Sequence, residues 1–287
     1  MRPGDGLRAV GAVLVAAGLS ACMTAPPATA TALATASAPA PATSTTPLRV
    51  YAAGSLRSAL TDIAQRYEAQ TGTAVALTFG ASGLLRAQIE KGESAQVFAS
   101  ADTQHPAALA AASSDWQTPT RFVRNRLCAI SQPALAATAD TLLTLMLDPL
   151  VKVGTSTPGF DPAGDYAWVL FRRADAVQPG AYEVLSAKAL KLTGSPAAPT
   201  PPAGQGAYHW LMATGQADVF LTYCTNAAAV VRKMPQLQRV ALPAALEVGA
   251  DYAVTGRTGD ANAQRFVHYL LAAPAQAIFA HLGFVAP

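Results

Sequence analysis

From Leu48 onward, short apolar runs alternate with longer segments in which apolar residues recur every three or four positions. Short apolar runs are typical of buried strands, and the longer spacing is typical of amphipathic helices. The predicted strands are 48–52, 74–79, 97–99, 127–131, 151–154, 219–223, 237–241 and 252–255. The predicted helices are 56–70, 83–91, 105–112, 139–147, 166–176, 182–192, 208–215 and 261–281. This alternation predicts an α/β fold with mostly parallel sheets.

Two serines follow predicted strands and open predicted helices. Ser55 lies in Ala-Ala-Gly-Ser-Leu at 52–56, and Ser82 lies in Gly-Ala-Ser-Gly-Leu at 80–84. A serine at such a junction is well placed to cap the helix, beside backbone N–H groups that have no partner within it. Capping alone is the simpler role for either serine. Two such junctions that face one crevice would bind an oxyanion without lysine or arginine, so the pair predicts anion binding and not catalysis.

Two further loops place small residues where predicted helices begin. Pro162 suits the first position of a helix because it lacks an N–H group, and we expect the N–H groups of Ala163 and Gly164 to be free and to point outward. The Gly-Gln-Gly-Ala segment at 204–207 would let a ligand approach the backbone. Four such loops in one chain predict a single shared site.

The N-terminus predicts export. Arg2 and Arg8 form a short basic segment. They precede an apolar run, 9–19, that is too short to cross a bilayer as a mature helix. The Leu-Ser-Ala-Cys segment at 19–22 is similar to a bacterial lipoprotein cleavage site, which would make residues 1–21 a signal peptide and Cys22 the lipidated N-terminus. An ordinary secretory signal cut near Ala21 is the alternative. Both predict a periplasmic or cell-surface protein, and the lipid would anchor it to the membrane.

Residues 22–47 consist almost entirely of alanine, threonine, proline and serine. They have few large apolar side chains to bury, so we predict a disordered tether. The body that follows has low charge: 13% of the chain is charged, and the formal net charge of +3 includes no basic run. The sequence therefore lacks the basic patch that nucleic-acid binding requires.

Two cysteines lie in the body, Cys128 and Cys224, both in or beside apolar strand-like runs. A disulfide would persist in an exported protein, whereas a buried free cysteine is also a common core residue. The residues alone leave both possibilities open.

Several motifs together resemble the periplasmic molybdate-binding proteins of ABC importers. They are the two serine segments, Val-Phe-Ala-Ser-Ala-Asp at 97–102, Asp-Pro-Ala-Gly-Asp-Tyr-Ala at 161–167 and Thr-Tyr-Cys-Thr-Asn-Ala at 222–227. The segment 277–284 also resembles the closing helix of that family. The resemblance covers nearly all of the body.

This resemblance implies a two-lobed periplasmic binding protein fold with two crossing strands, 125–130 and 247–255. Lobe 1 would comprise 48–124 and 247–287, and lobe 2 would comprise 125–246. The two cysteines would then lie on neighbouring strands, within reach of a disulfide.

The resemblance also implies a ligand and its contacts. An oxyanion would be bound in the cleft by Ser55, Ser82, the N–H of Ala163 and the hydroxyl of Tyr223. The implied function is capture of molybdate or tungstate by a monomer, which delivers it to the permease subunits of an ABC importer. No enzyme activity, no cofactor and no metal other than that of the bound oxyanion is expected.

The chain departs from the family at one further contact, at the start of a helix. The family has a Val-Arg-Gly type of helix start where this chain has 204–207, so the N–H of Gln205 would replace that contact. Asp161 and Asp165 lie beside the expected Ala163 contact and either cap the helix or accept the proton of a bound phosphate.

Two sets of alternatives stay open. Sulfate, phosphate and a small organic acid are alternative ligands. The alternative from another class is a serine hydrolase that uses Ser82, although its nucleophile turn would require glycine where Leu84 stands.

Overall fold

The computed structural model describes residues 46–287. The signal peptide, the lipidation of Cys22 and nearly all of the predicted tether lie outside the described residues. Within the described part, no helix is both long enough and apolar enough to cross a membrane.

The described chain contains nine strands and ten α-helices, which alternate through most of its length. The strands are β1 (Leu48–Ala53), β2 (Val75–Gly80), β3 (Val97–Ser100), β4 (Thr120–Ser131), β5 (Val153–Ser156), β6 (Leu190–Thr193), β7 (Val219–Tyr223), β8 (Gln238–Ala241) and β9 (Gly249–Gly256). The helices are α1 (Arg57–Thr71), α2 (Ser82–Glu90), α3 (Gln104–Ala112), α4 (Leu142–Leu147), α5 (Pro162–Val177), α6 (Ala181–Lys188), α7 (Ala207–Ala213), α8 (Cys224–Lys233), α9 (Ala261–Leu271) and α10 (Ala273–His281).

The strands form one mixed sheet with two groups of strands that share β4. In the first group, of order β2-β1-β3-β9-β4, β1 is parallel to β2 and β3, and β9 is antiparallel to β3 and β4. In the second group, β5 is parallel to β6 and β7, and β4 is antiparallel to β7 and β8. Each group therefore has two parallel and two antiparallel pairs, so the sheet is mixed where the sequence predicted mostly parallel sheets, and the antiparallel pairs all involve β4 or β9.

Strand β4 changes partners midway, and this makes the fold two-lobed. Thr120–Arg126 pairs with β9, whereas Leu127–Ser131 pairs with β7 and β8. Helices cover the central strands of each group, so the side chains of β3, β5 and β7 are buried on both faces. The change of partner falls inside the predicted crossing strand 125–130; the lobe boundaries 48–124, 125–246 and 247–287 stay a prediction.

Several elements differ from the prediction, and strand β4, for example, begins at Thr120 and not at residue 127. Helix α6 ends at Lys188, and Leu190–Thr193 forms an edge strand beside β5 where the helix was predicted to continue. The predicted helix 261–281 is two helices, because Pro274 has no N–H group for the preceding turn and Ala272 is extended. Helix α8 was not predicted, because it begins at the residue that directly follows Tyr223, the last residue of β7.

Cys128 and Cys224 are joined by a disulfide, with their Cα atoms 4.8 Å apart. Cys128 lies on β4 opposite Thr222 of β7, and Cys224 is the first residue of α8 rather than part of a strand. The bond connects residues separated by 96 positions and ties the crossing strand to the helix that follows Tyr223.

Candidate functional site

A cavity of about 920 Å³ opens where β1, β2 and β7 end and the following helices begin. Its walls come from both strand groups, so it is the cleft between the lobes. Ser55, Ser82, Gln205 and Tyr223 line this cavity. Ala163 is not among the lining residues and is fully buried.

Ser82 does not cap its helix, contrary to the sequence prediction. It is the first residue of α2, the capping position is taken by Ala81, and no side-chain cap bond forms. The Oγ atom of Ser82, which is fully buried, instead accepts a hydrogen bond from the Ala101 N–H at 3.1 Å. A serine hydroxyl has one proton to donate as well as lone pairs to accept with, so the Ser82 proton is left for a ligand.

Ser55 also departs from the capping prediction. It lies inside a 3₁₀ turn, Gly54–Leu56, that begins at Ala53 without a side-chain cap. Its Oγ lies 2.9 Å from the hydroxyl oxygen of Tyr252, and Asn125 Nδ2 donates to that same Tyr252 oxygen at 3.4 Å. Either hydroxyl of this pair can be the donor; where Tyr252 donates to Ser55, the Ser55 proton is left for a ligand.

Tyr223 ends β7 with its side chain buried, and its hydroxyl donates to the Ala101 carbonyl at a long 3.5 Å. Burial raises the pKa of Tyr223 well above its ordinary value, and the nearby Tyr252 adds to this effect. The hydroxyl therefore stays protonated at neutral pH and keeps a proton that it can donate.

The backbone donors that the sequence predicted already have partners. The N–H of Ala163 donates to Asp161 Oδ1 at 3.1 Å, and the N–H of Gly164 donates to the Asp161 carbonyl at 2.8 Å. The expectation that both point outward and free is wrong, because Asp161 caps α5. The N–H of Gln205 donates to the Pro202 carbonyl at 3.1 Å, so Gln205 lines the cavity without a free backbone donor.

The two acidic residues of this loop have different surroundings. Asp161 lines the cavity, and burial raises its pKa despite the hydrogen bond from Ala163. Asp165 Oδ1 accepts from the Gly159 N–H at 3.0 Å, and burial raises its pKa as well. The capping interpretation accounts for Asp161, and its carboxyl is also an acceptor that faces the ligand space.

The lobes touch beside the serines. The Gly83 N–H, in the first turn of α2, donates to the carbonyl of Phe160, in the loop between β5 and α5, at 2.9 Å. A Cβ added at Gly83 would stand 2.7 Å from the Gly159 carbonyl oxygen and 2.8 Å from that of Phe160. Only glycine permits this contact, which joins the first turn of α2 to the loop between β5 and α5.

Sequence reasoning missed several lining residues. Thr225 and Asn226 lie in the first turn of α8, and Asn125 Nδ2 donates to Thr225 Oγ1 at 2.9 Å. Arg232 and Lys233, in the last turn of the same helix, also line the cavity. The Thr-Tyr-Cys-Thr-Asn-Ala motif could have indicated Thr225 and Asn226 as lining residues. Only Tyr223 was selected from it, because the helix that follows Tyr223 was not predicted.

The arrangement around Ser82 does not suit a serine nucleophile. Such a serine needs a base within hydrogen-bonding distance of its Oγ, and the Oγ partner of Ser82 is the Ala101 N–H. His209 lines the cavity, yet within residues 46–287 no histidine forms a hydrogen bond with Ser55 or Ser82. The donors suit the binding of an anion better than acyl transfer.

Comparison with solved structures shows the same fold. The periplasmic molybdate-binding protein of Azotobacter vinelandii matches with a TM-score of 0.67 and 22% identity, over 84% of this chain and 99% of that one. The sulfate-binding protein SubI of Mycobacterium tuberculosis matches with a TM-score of 0.69 and 17% identity, over 83% and 86%. PEB3 with bound L-phospholactate matches with a TM-score of 0.65 and 19% identity, over 84% and 100%.

Two curated relatives align over most of their length. An uncharacterized protein of Pasteurella multocida is 35% identical over 229 residues, which are 78% of this chain and 92% of that protein. The molybdate-binding protein ModA of Mycobacterium bovis is 28% identical over 288 residues, 97% of this chain and 96% of that protein. The family model described as bacterial extracellular solute-binding protein matches residues 48–285, nearly the whole described body. This chain therefore belongs to the family of bacterial extracellular solute-binding proteins.

Proposed function

We propose that this protein is the solute-binding component of an ABC importer and that it captures an anion between its lobes. One observation carries the proposal: Ser82 accepts a hydrogen bond from the Ala101 N–H, and the Ser55 Oγ lies 2.9 Å from the Tyr252 hydroxyl, which can donate to it. Each serine hydroxyl can therefore donate its own proton to a ligand in the cavity. Donor groups alone suit a ligand that only accepts hydrogen bonds, which is a deprotonated oxyanion.

Helix starts support the same conclusion. Helices α2 and α8 and the 3₁₀ turn before α1 all begin at the cavity wall. The first N–H groups of a helix lack partners within it and carry partial positive charge, which favours an anion. Tyr223, held protonated by burial, adds a third hydroxyl donor.

Molybdate or tungstate is the first candidate ligand. The motifs at 52–56, 80–84 and 161–167 resemble molybdate-binding proteins, and relatives with that name align with this chain. A bare dianion needs no proton acceptor and no cation, in keeping with the serine pair. Sulfate is smaller, so we expect it to leave some donors out of reach.

An organic molecule that carries an oxyanion group is the second candidate. The cavity of about 920 Å³ is in the range of sites for organic ligands and is much larger than a five-atom ion requires. The two backbone donors expected for molybdate, Ala163 and Gln205, are already bonded within the protein. These observations make a panel of ligands necessary.

The test is calorimetric titration with molybdate, tungstate, sulfate, phosphate and small organic acids, with Ser55→Ala and Ser82→Ala variants beside the natural protein. Molybdate or tungstate should bind more tightly than sulfate and phosphate, and both variants should weaken binding. If an organic acid binds and molybdate does not, the ligand assignment fails and anion capture stands. If no anion binds, or if both variants bind as well as the natural protein, anion capture at the serines is refuted.

We also propose that the protein works as a monomer outside the cytoplasm and is lipid-anchored at Cys22. The lipoprotein-like segment at 19–22 supports the anchor. Cys22→Ala should release the protein from membranes in fractionated cells. A protein that stays membrane-bound after this change, or that is soluble without it, would contradict the anchor.

A further inference from the structure

The ligand cavity extends well beyond the serine pair. It follows α8 from Tyr223 and Thr225 at the start of the helix to Arg232 and Lys233 in its last turn. The eight steps of α-helix from residue 225 to residue 233 span about 12 Å. A single tetrahedral oxyanion held at the serines would leave the far end of this cavity unused.

The far end is cationic, and its charges are unpaired. No carboxylate within residues 46–287 forms an ion pair with Arg232 or Lys233. Arg57, from lobe 1, adds a third cation to the cavity wall and lies over the ring of Phe79, 4.4 Å from its centroid. Asp161 is the one carboxylate among the lining residues of the described chain.

Basic residues in the last turn of a helix often serve only to stabilise that helix. Here the same two residues also line a cavity whose other end presents anion donors, and a cation from the opposite lobe lines it too. The charge therefore lies where the remainder of a bound ligand would extend.

We propose that the cavity accommodates, besides a single oxyanion, an organic anion with two acidic groups. One group, a phosphate-like oxyanion, is bound by Ser55 and Ser82, and the second, a carboxylate or phosphate, is bound by Arg232 and Lys233 with help from Arg57. This inference rests on the proposed capture of an anion by the serines and names the class of ligand for that site.

The experiment measures what the second acidic group contributes. The probes are phosphonocarboxylates with one, two or four methylene groups, each matched to the alkylphosphonate that lacks the carboxylate. Affinities are measured for the natural protein and for Arg232→Gln/Lys233→Gln. The control is Arg66→Gln/Arg173→Gln, which removes two exposed charges outside the cavity lining.

In the natural protein and the control, the best-fitting phosphonocarboxylate should bind about threefold to twentyfold more tightly than its matched alkylphosphonate, as expected for two partly exposed ion pairs. The Arg232→Gln/Lys233→Gln variant should lose most of that advantage, because its affinity for the phosphonocarboxylates should fall more than its affinity for the matched alkylphosphonates. Substitution of exposed charges has little effect on folding.

Two results would overturn the inference: no advantage for any probe length in the natural protein, or an advantage that persists in the cavity variant. A failure of the proposed anion capture by the serines would give a different result. In that case alkylphosphonates and inorganic oxyanions would also fail to bind, or their binding would not depend on Ser82.

Discussion

Replacement of Ser82 by alanine separates a ligand contact from a structural one. The Ser82 hydroxyl accepts from the Ala101 N–H and has its own proton available for an anion. Loss of a hydrogen bond to a charged ligand costs about 1.5–3 kcal/mol, which weakens affinity about 10- to 150-fold. Ala101 would also lose the partner of its buried N–H, so the free energy of unfolding should fall by about 1–3 kcal/mol.

The two losses can be measured independently. Calorimetric titration gives the affinity, and thermal unfolding with and without anion gives the stability. At a concentration of about a hundred times the natural dissociation constant, the anion should stabilise the natural protein by about 2.7 kcal/mol and Ser82→Ala by only about 0.3–1.4 kcal/mol.

Ser100→Ala is the matched control. Ser100 is also fully buried, and its Oγ likewise accepts a hydrogen bond from a backbone N–H, that of Asp102 at 3.3 Å, yet Ser100 does not line the cavity. It should reduce stability and leave affinity unchanged. If Ser82→Ala behaves in the same way as Ser100→Ala, Ser82 is structural only and the reasoning about its free proton is refuted.

Three other predictions concern lobe contact, charge and the disulfide. Gly83→Ala should weaken anion binding and give a larger radius of gyration in the presence of anion, because its Cβ would collide with the facing loop. Gly249→Ala, where a Cβ meets only an ordinary contact at 3.7 Å, should do neither, and equal radii of gyration in the two variants would contradict a lobe contact at Gly83. Burial raises the pKa of Asp161 above its ordinary 3.8. As pH rises through the raised value, this carboxyl ionises, and both the stability of the fold and its affinity for a non-titrating anion such as sulfate should therefore fall. Asp161→Asn should flatten the dependence of affinity on pH, and an unchanged slope would assign it to other groups. Replacement of both Cys128 and Cys224 by alanine should lower the free energy of unfolding in urea by about 2–5 kcal/mol, and thiol labelling of denatured, unreduced protein should leave both cysteines of the natural protein unmodified; labelling of both would show that the bond does not form.

The sequence by itself determined the α/β class and the strand ends that line the cavity. The strand ends at Ala53, Gly80 and Tyr223 are local features, because an apolar run followed by small residues and helical spacing is visible without knowledge of the fold. The family motifs then predicted which strand ends would meet. Ser55, Ser82, Gln205 and Tyr223 were selected in this way and line one cavity.

Tertiary structure decided what these groups can do. The partners of Ser55 and Ser82 come from Tyr252 and Ala101, and only the folded chain brings Tyr252, 197 positions away, beside Ser55. A hydrogen bond depends on distances of a fraction of an ångström, which local patterns do not encode. For the same reason the sequence could not show that Asp161 accepts the hydrogen bond of the Ala163 N–H.

The extent of the cavity was also decided by the fold. Local patterns end β7 near Tyr223 but give no sign that α8 starts at the next residue, since helix and strand propensities overlap in short apolar segments. Arg232 and Lys233 therefore look like ordinary surface charges in the sequence. They join the ligand cavity because α8 packs along the cleft, and that packing depends on contacts between residues far apart in the chain.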